Sequence, residues 1–438
     1  MFSTKGILPP TRLELAVANA LSLVTRERLW LAFISYIFFV TLYYSWRHSA
    51  ALHAFTYGDW VIHYGFGFVR RGLIGQLLIS IGGTQNAPTL VFLAKAALYF
   101  AFLYSVYRLY RPLLHENVLA FCLLAPTAFS FTVLDSDGAG RKELILLACM
   151  AVQCAILAAR QGISTCGSRS GPWIHLCCLL ASLSVAVLSH EGLFFFCGFP
   201  LLVLHLDLSL KEGTTAATRR TLFAATWLVI LFLLQAYFSG NSQLGKRLCA
   251  ALGASAPMNC SEFSAITWLG GTGHKVVNDV LKEIGRGALY VYGFSALLSA
   301  LPIYLVAQGS VVTGSSPVRR STLLAALSIA NLSSVPLYVA VDWGRWQYIT
   351  VCCNLLFLGY CYRIRIMKAR PLFGSLTNFS NELVERVLLR VLKFGMFAYV
   401  FLWNVPHYGA YFDHGHIGLI ERIAANTSRI IYSKQPLR

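Results

Sequence analysis

Acidic side chains are scarce in this chain: 438 residues carry 18 Asp and Glu against 36 Lys and Arg. Charge of either sign is scarce too, at 12% of residues, where a soluble globular protein carries roughly 25%. With 57% hydrophobic residues and a mean hydropathy of +0.62, that shortage excludes an ordinary water-soluble domain and marks an integral membrane protein. The twelve cysteines contain no C-x-x-C spacing; Cys177-Cys178 and Cys352-Cys353 are adjacent pairs, so a zinc framework is excluded. Most cysteines lie inside apolar runs as small fillers. No repeat of 20–50 residues is present, which excludes a solenoid, and no low-complexity tract interrupts the single membrane domain 1–438. The net charge of +18 does not indicate nucleic acid, because the bases sit in short clusters between apolar runs, the pattern of topology determinants.

The apolar runs are what the chain has in abundance. A span needs about 20 apolar residues, which predicts an all-α polytopic fold with eleven transmembrane helices near 29–46, 88–109, 117–134, 143–160, 173–189, 192–208, 221–238, 287–308, 321–340, 346–362 and 392–405. The polar stretch ahead of the first run is too long for a cleavable signal peptide. Residues 72–83 reach roughly 18 Å as a helix, short of a core of about 30 Å, and predict an interfacial or re-entrant helix inside a first outer loop, 47–87. Placing the amino terminus in the cytoplasm puts 20 of the 36 bases on the cytoplasmic side, at least two per loop, including a basic loop 363–391.

That orientation brings four polar motifs to the outer face. The first runs from Asp59 through His63 to Arg70 and Arg71. The second is Asp135-Ser-Asp137-Gly-Ala-Gly-Arg141-Lys142-Glu143, the third His190-Glu191, and the fourth Asp342-Trp343-Gly344-Arg345-Trp346. Charge is costly to withdraw from water, so such clusters in an apolar chain point to chemistry. Asp59 suits a general base on an acceptor hydroxyl; its alternative is a counter-ion to Arg70 or Arg71. His63 follows four residues on, hence on the same face of a helix. His190 and Glu191, in a turn short enough to lie at the membrane surface, suit acid–base work or orientation of a sugar hydroxyl, or simply cap a helix. Arg70, Arg71, Arg141 and Lys142 are paired bases beside Gly72, Gly138 and Gly140, which suits a lipid phosphate or pyrophosphate; the alternative is headgroup anchoring. Asp342 and Arg345, between two indoles, suit hydrogen bonding to a sugar, or an interfacial tryptophan belt. Asp135 and Asp137 invite a divalent cation, yet two carboxylates without further ligand spacing define no metal site. No other cofactor is expected.

Two further outer segments complete the expectation. The loop 239–286 holds Lys246, Arg247, Glu262, Trp268, Gly270-Gly271, His274 and Lys275, suited to a lid or an acceptor surface, and Cys249 and Cys260, which would pair in an oxidising compartment. The tail from 406 carries His407, Tyr408, Asp413, His414 and His416.

Many spans, an acid in the first outer loop right after the first helix, and a short interfacial helix in that loop resemble the GT-C superfamily of integral-membrane glycosyltransferases. The resemblance implies Asp59 as the first-loop catalytic acid, a polyprenyl-phosphate-linked sugar donor, a lipid or glycan acceptor, and a place in a bacterial inner membrane with the active face periplasmic. One acid stands in the first loop where the family often has two. A polysaccharide polymerase or ligase of the O-antigen kind would instead rely on the outer bases. A lipid or solute transporter would concentrate ionisable groups near the midplane; here only Lys95 and His175 lie clearly within predicted spans, away from their ends, while the acids crowd one surface.

Overall fold

The computed structural model describes residues 12–113, 122–160, 171–271, 273–308, 310–312, 320–339, 342–369, 390, 394–395, 397–400 and 403–405. Twelve α-helices of ten residues or more are described: α1 Arg12–Ala50, α2 Leu73–Gly82, α3 Ala87–Tyr110, α4 Glu143–Arg160, α5 Gly171–Ser189, α6 Gly198–Glu212, α7 Thr214–Tyr237, α8 Ser242–Leu252, α9 Gly273–Gly285, α10 Ala288–Gln308, α11 Arg320–Leu332 and α12 Trp343–Arg363. Ser310–Val312 and Met367–Ala369 pair as one short antiparallel ribbon.

Among the described residues, five helical stretches are long and apolar enough to cross a membrane: Arg26–Ala50, Ala87–Leu113, Glu143–Arg160, Glu191–Glu212 and Thr214–Tyr237. A sixth would be the pair Val277–Gly285 and Ala288–Leu301, bent by 87°. By length and composition this is a mainly helical, multi-pass membrane protein. Nine of the eleven expected runs fall on helices, several of them shorter or more polar than a full span. The run 392–405 is described only in pieces, with 394–395 and 397–400 helical, and most of the basic loop 363–391 and the tail histidines lie outside the described residues.

The run 117–134 departs from expectation in its described part. Cys122 and Leu123 are helical, residues 124–130 form turns and a bend, and Phe131–Leu134 makes a single helical turn. Pro126 supplies no amide hydrogen there, and the Ser130 hydroxyl donates to Ala125 O at 2.8 Å, competing with helix formation. Irregular backbone of this kind is tolerated in an apolar setting only when protein covers it, and Cys122, Leu123, Ala125, Ala128 and Phe129 are all buried.

At the centre lies α12, buried almost along its whole length, packed against α4, α6 and α10. A helix enclosed on every side sheds its need for a polar face. Its polar groups are matched internally. Asn354 and Asn331 of α11 exchange amide hydrogen bonds at 2.7 and 3.0 Å, while Gln347 reaches Ser295 and Tyr292 O on α10. Around this core α3 packs on α1 and α4, and α7 on α5 and α6.

The loop 239–271 folds back onto the first outer loop. Met258 N donates to Leu52 O at 2.7 Å and Ala265 N to Ala54 O at 3.1 Å. Tyr57 Oη donates to Ser255 O at 2.9 Å. Gly58 sits under Pro257, whose ring would lie 3.1 Å from any added Cβ. Within the loop Cys249 and Cys260 form a disulfide, closing a short chain segment whose unfolded freedom is thereby reduced. Peptide mapping under non-reducing conditions should recover a 249–260 linked peptide, and Cys260→Ser should speed proteolytic cleavage within 239–271 several-fold. A pair of free thiols in the native membrane would contradict both the link and an oxidising location for this loop.

Candidate active site

Asp59 sits in a single 3-10 turn, Gly58–Val61, and is 2% exposed. The turn is held from below by its neighbours. Trp60, fully buried, donates its indole hydrogen to Gly140 O at 2.8 Å, tying the first loop to the second polar motif. Lys95 on α3 donates to Thr56 O at 2.9 Å with Trp60 5.5 Å away, and Tyr99 donates to Ala139 O. Because the turn ends at Val61, His63 does not share a helical face with Asp59; its Nδ1 lies 3.0 Å from Val61 O, a local backbone contact.

Around Asp59 the structure gathers cations. Lys142 Nζ lies 3.6 Å and Arg71 Nη1 3.9 Å from Oδ1. Burial pushes the Asp59 carboxyl up, but the neighbouring cations, Lys142 and then Arg71 foremost, outweigh it and hold it below its ordinary value. Burial draws Lys142 down to about 8 against the pull of Asp59. Arg71 is the junction. Its Nε and Nη2 grip Glu191 at 2.7 and 2.6 Å in a bidentate pair, and although burial opposes its charge, Glu191 outweighs that and holds the guanidinium above its ordinary value.

The Arg71 backbone is also held, at φ +67°, a left-handed conformation that a side chain with Cβ adopts at a cost. Gln235, buried on α7, accepts from Arg71 N at 2.9 Å and donates to Val187 O. Lys142 Nζ donates to Arg71 O at 2.8 Å. The peptide is thus clamped from both sides, and this over-determination keeps the strained residue in place.

His190 and Glu191 are buried or nearly so, where a surface turn is expected. They start a 3-10 turn, Glu191–Phe196, in which His190 Nδ1 accepts from Gly192 N at 3.1 Å. That bond assigns the hydrogen of the neutral ring to Nε2. Burial draws the ring down to about 4, with Arg71 acting in the same direction, so His190 is a neutral hydrogen-bond donor at physiological pH and no general acid. The fourth motif joins through a residue the sequence pattern does not single out. Arg345 Nε lies 3.2 Å from Glu143 Oε1 and its Nη2 2.9 Å from Asp342 Oδ2, with its guanidinium 4.5 Å from the Trp346 ring.

The remaining bases are placed differently. Arg70 meets Glu191 only at 3.5 Å and otherwise donates to Trp268 O and Leu269 O of the outer loop; its Nε is buried without an acceptor. Arg141 lies 5.7 Å from the Phe55 ring, its Nε likewise has no acceptor, and among the described residues no carboxylate lies within ion-pair distance of it. Asp135 and Asp137 do not face a common point. Asp135 Oδ1 accepts from Gly138 N at 2.7 Å, capping the turn Ser136–Ala139, while Asp137 Oδ1 lies 3.6 Å from His48 Nε2.

The structure therefore brings Asp59, Arg70, Arg71, Lys142, His190 and Glu191 into one cluster, with Arg345 near enough to feel the charges of Arg71 and Asp59. Glu143 and Gln235 are the additions. Glu143 reads in sequence as the last charge before a span; Gln235 is a lone amide in the apolar run of α7, which is the signal it offers.

Removing one partner of a buried ion pair costs about 3–5 kcal/mol; with Arg71 and Glu191 each about one-fifth exposed, Glu191→Gln should fall at the low end. Gln235→Leu leaves Arg71 N and Val187 O unmatched, worth about 1–3 kcal/mol. Thermal unfolding in detergent micelles should rank wild type above Gln235→Leu above Glu191→Gln; equal Tm values would remove the clamp. Comparison with protein-family models, with curated proteins and with solved structures finds no match, so the geometry alone carries the functional reading.

Proposed function

We propose that this chain is a membrane glycosyltransferase of GT-C type. It would carry eleven spans, with the amino terminus in the cytoplasm and the site on the periplasmic face of a bacterial inner membrane. The donor is a polyprenyl-phosphate-linked sugar and the acceptor a lipid or glycan hydroxyl. The observation that carries the reading is a buried carboxylate kept ionised by Lys142 and Arg71, with two further guanidinia, Arg70 and Arg141, each keeping a buried nitrogen without an acceptor.

In this mechanism the acceptor oxygen bonds to the anomeric carbon as the bond from that carbon to the phosphate oxygen breaks. The proton of the acceptor passes to Asp59, and the electron pair leaves with the polyprenyl phosphate. A carboxylate with a depressed pKa is a weak base toward a resting hydroxyl. Asp59 therefore orients the hydroxyl first and takes its proton once the sugar has gained oxocarbenium character and the oxygen has grown acidic. Arg70 and Arg141 receive the phosphate charge, and preorganised donors of this kind are each worth about 3 kcal/mol to a barrier. Arg71, Lys142 and Arg345 are matched by acids of the protein and position the others.

Mass spectrometry of envelope glycans, with and without the protein, identifies the product; the same strain then scores variants. Asp59→Asn should abolish product in a protein that still folds and reaches the membrane, with a lowered Tm because buried Lys142 loses its partner, and retained product removes the base assignment. Lys142→Met removes the first of the cations that hold Asp59 down, so the acidic limb of the pH–rate profile should move to higher pH. An unmoved limb would detach Asp59 from that limb. A polymerase or ligase relying on the bases predicts the reverse severity, with Arg70→Ala and Arg141→Ala worse than Asp59→Asn.

A further inference from the structure

We propose that α9, Gly273–Gly285, lies flat in the membrane–water interface as a lipid-binding helix that fixes the depth of the candidate site. Its apolar residues Val277, Val280, Leu281 and Ile284 recur at helical spacing and form one stripe. The stripe is only half used by the protein. Val280 is 9% exposed and Ile284 packs on the core, whereas Val277 and Leu281 stand 42% and 59% exposed. Asn278 and Lys282, also exposed, occupy the adjoining arc. The solvent-facing half of α9 is thus itself divided into an apolar and a polar side, with the protein at its back.

Direction decides what covers the apolar side. The α9 axis meets the apolar helix Ala288–Leu301 at 87°. That second helix carries no charged residue and exposes Leu289, Tyr290, Phe294 and Leu297 at 56%, 86%, 66% and 72%, the surface of a segment running through lipid. A helix perpendicular to it lies parallel to the bilayer plane. Asp279, Lys282 and Glu283 within α9 forbid its descent into hydrocarbon, while a strong apolar–polar division with low overall hydrophobicity is the mark of an interfacial helix. The occupant of the Val277–Leu281 face is the glycerol and upper acyl region of phospholipid. The exposed apolar surface continues across the bend from Leu281 to Leu289 and Tyr290.

The placement bears on the site because α9 packs against the turn Val335–Val339, which leads into Asp342 and Arg345. Fixing α9 in the interface fixes that motif, and the cluster linked to it through Glu143, near headgroup depth. This placement holds whichever reaction the site performs.

Full-length protein carrying p-benzoylphenylalanine in place of Leu281, Lys282 or Phe294, reconstituted into liposomes of phosphatidylethanolamine and phosphatidylglycerol, tests this. After irradiation, mass spectrometry should find lipid adducts for the Leu281 probe within twofold of the Phe294 probe and at least fivefold above the Lys282 probe. Val277, on the same side, serves as a second position should the Leu281 variant fail to fold. A Leu281 or Val277 yield no higher than that at Lys282 overturns the proposal, as does crosslinking from these positions to a second copy of the chain.

Discussion

The whole polar cluster depends on how Arg71 is held. Its amide hydrogen goes to Gln235 on α7 and its carbonyl to Lys142 at the head of α4. Its guanidinium goes to Glu191 ahead of α6 and faces Asp59 in the first loop. One residue therefore ties four separate stretches of chain together. In a setting poor in water each of these bonds is stronger than on an exposed surface, and each unmatched group is costlier. That asymmetry explains the φ of +67°: the strained backbone persists because releasing it would orphan a buried amide, a buried ammonium and a buried carboxylate together.

The distribution of charge along the chain makes much of this arrangement legible before any coordinates. Four mixed-sign motifs in so apolar a sequence predict a meeting point, and Asp59, Arg71, Lys142 and Glu191 do meet. Apolar run length predicts where most helices lie, and the short run 72–83 corresponds to α2. Pairing of Cys249 with Cys260 is equally readable from their isolation in one polar loop. Three features escape a reading by composition. A run containing Pro126 can be apolar enough for a helix and still turn repeatedly, because turn bonds such as Ala128 N to Ala125 O and Phe131 N to Ala128 O match its buried amides. Glu143 and Gln235 act through partners distant in sequence, which no local pattern announces. And α12, though central, is more polar than a lipid-facing span, since its Asn354 and Gln347 answer to other helices and not to lipid.

The same ion pairs redistribute the roles that the sequence offers equally to all the bases. A guanidinium already gripped by a carboxylate at 2.6 Å, as Arg71 is by Glu191, has little net field left for a ligand, and taking it away from that carboxylate would strand a buried charge. Arg345, between Glu143 and Asp342, is neutralised likewise, and Lys142 serves Asp59 and a carbonyl. Buried guanidinium nitrogens lack acceptors at Arg70, Arg141, Arg345 and Arg363; within the cluster Arg345 is already ion-paired on two sides, which leaves Arg70 and Arg141 the least neutralised. Buried donors without acceptors are uncommon in folded proteins; Arg70 has Glu191 at 3.5 Å, and among the described residues Arg141 has no carboxylate within ion-pair distance. An anion with hydrogen-bond-accepting oxygens satisfies such donors, and the lipid-linked phosphate proposed above is an anion of that kind.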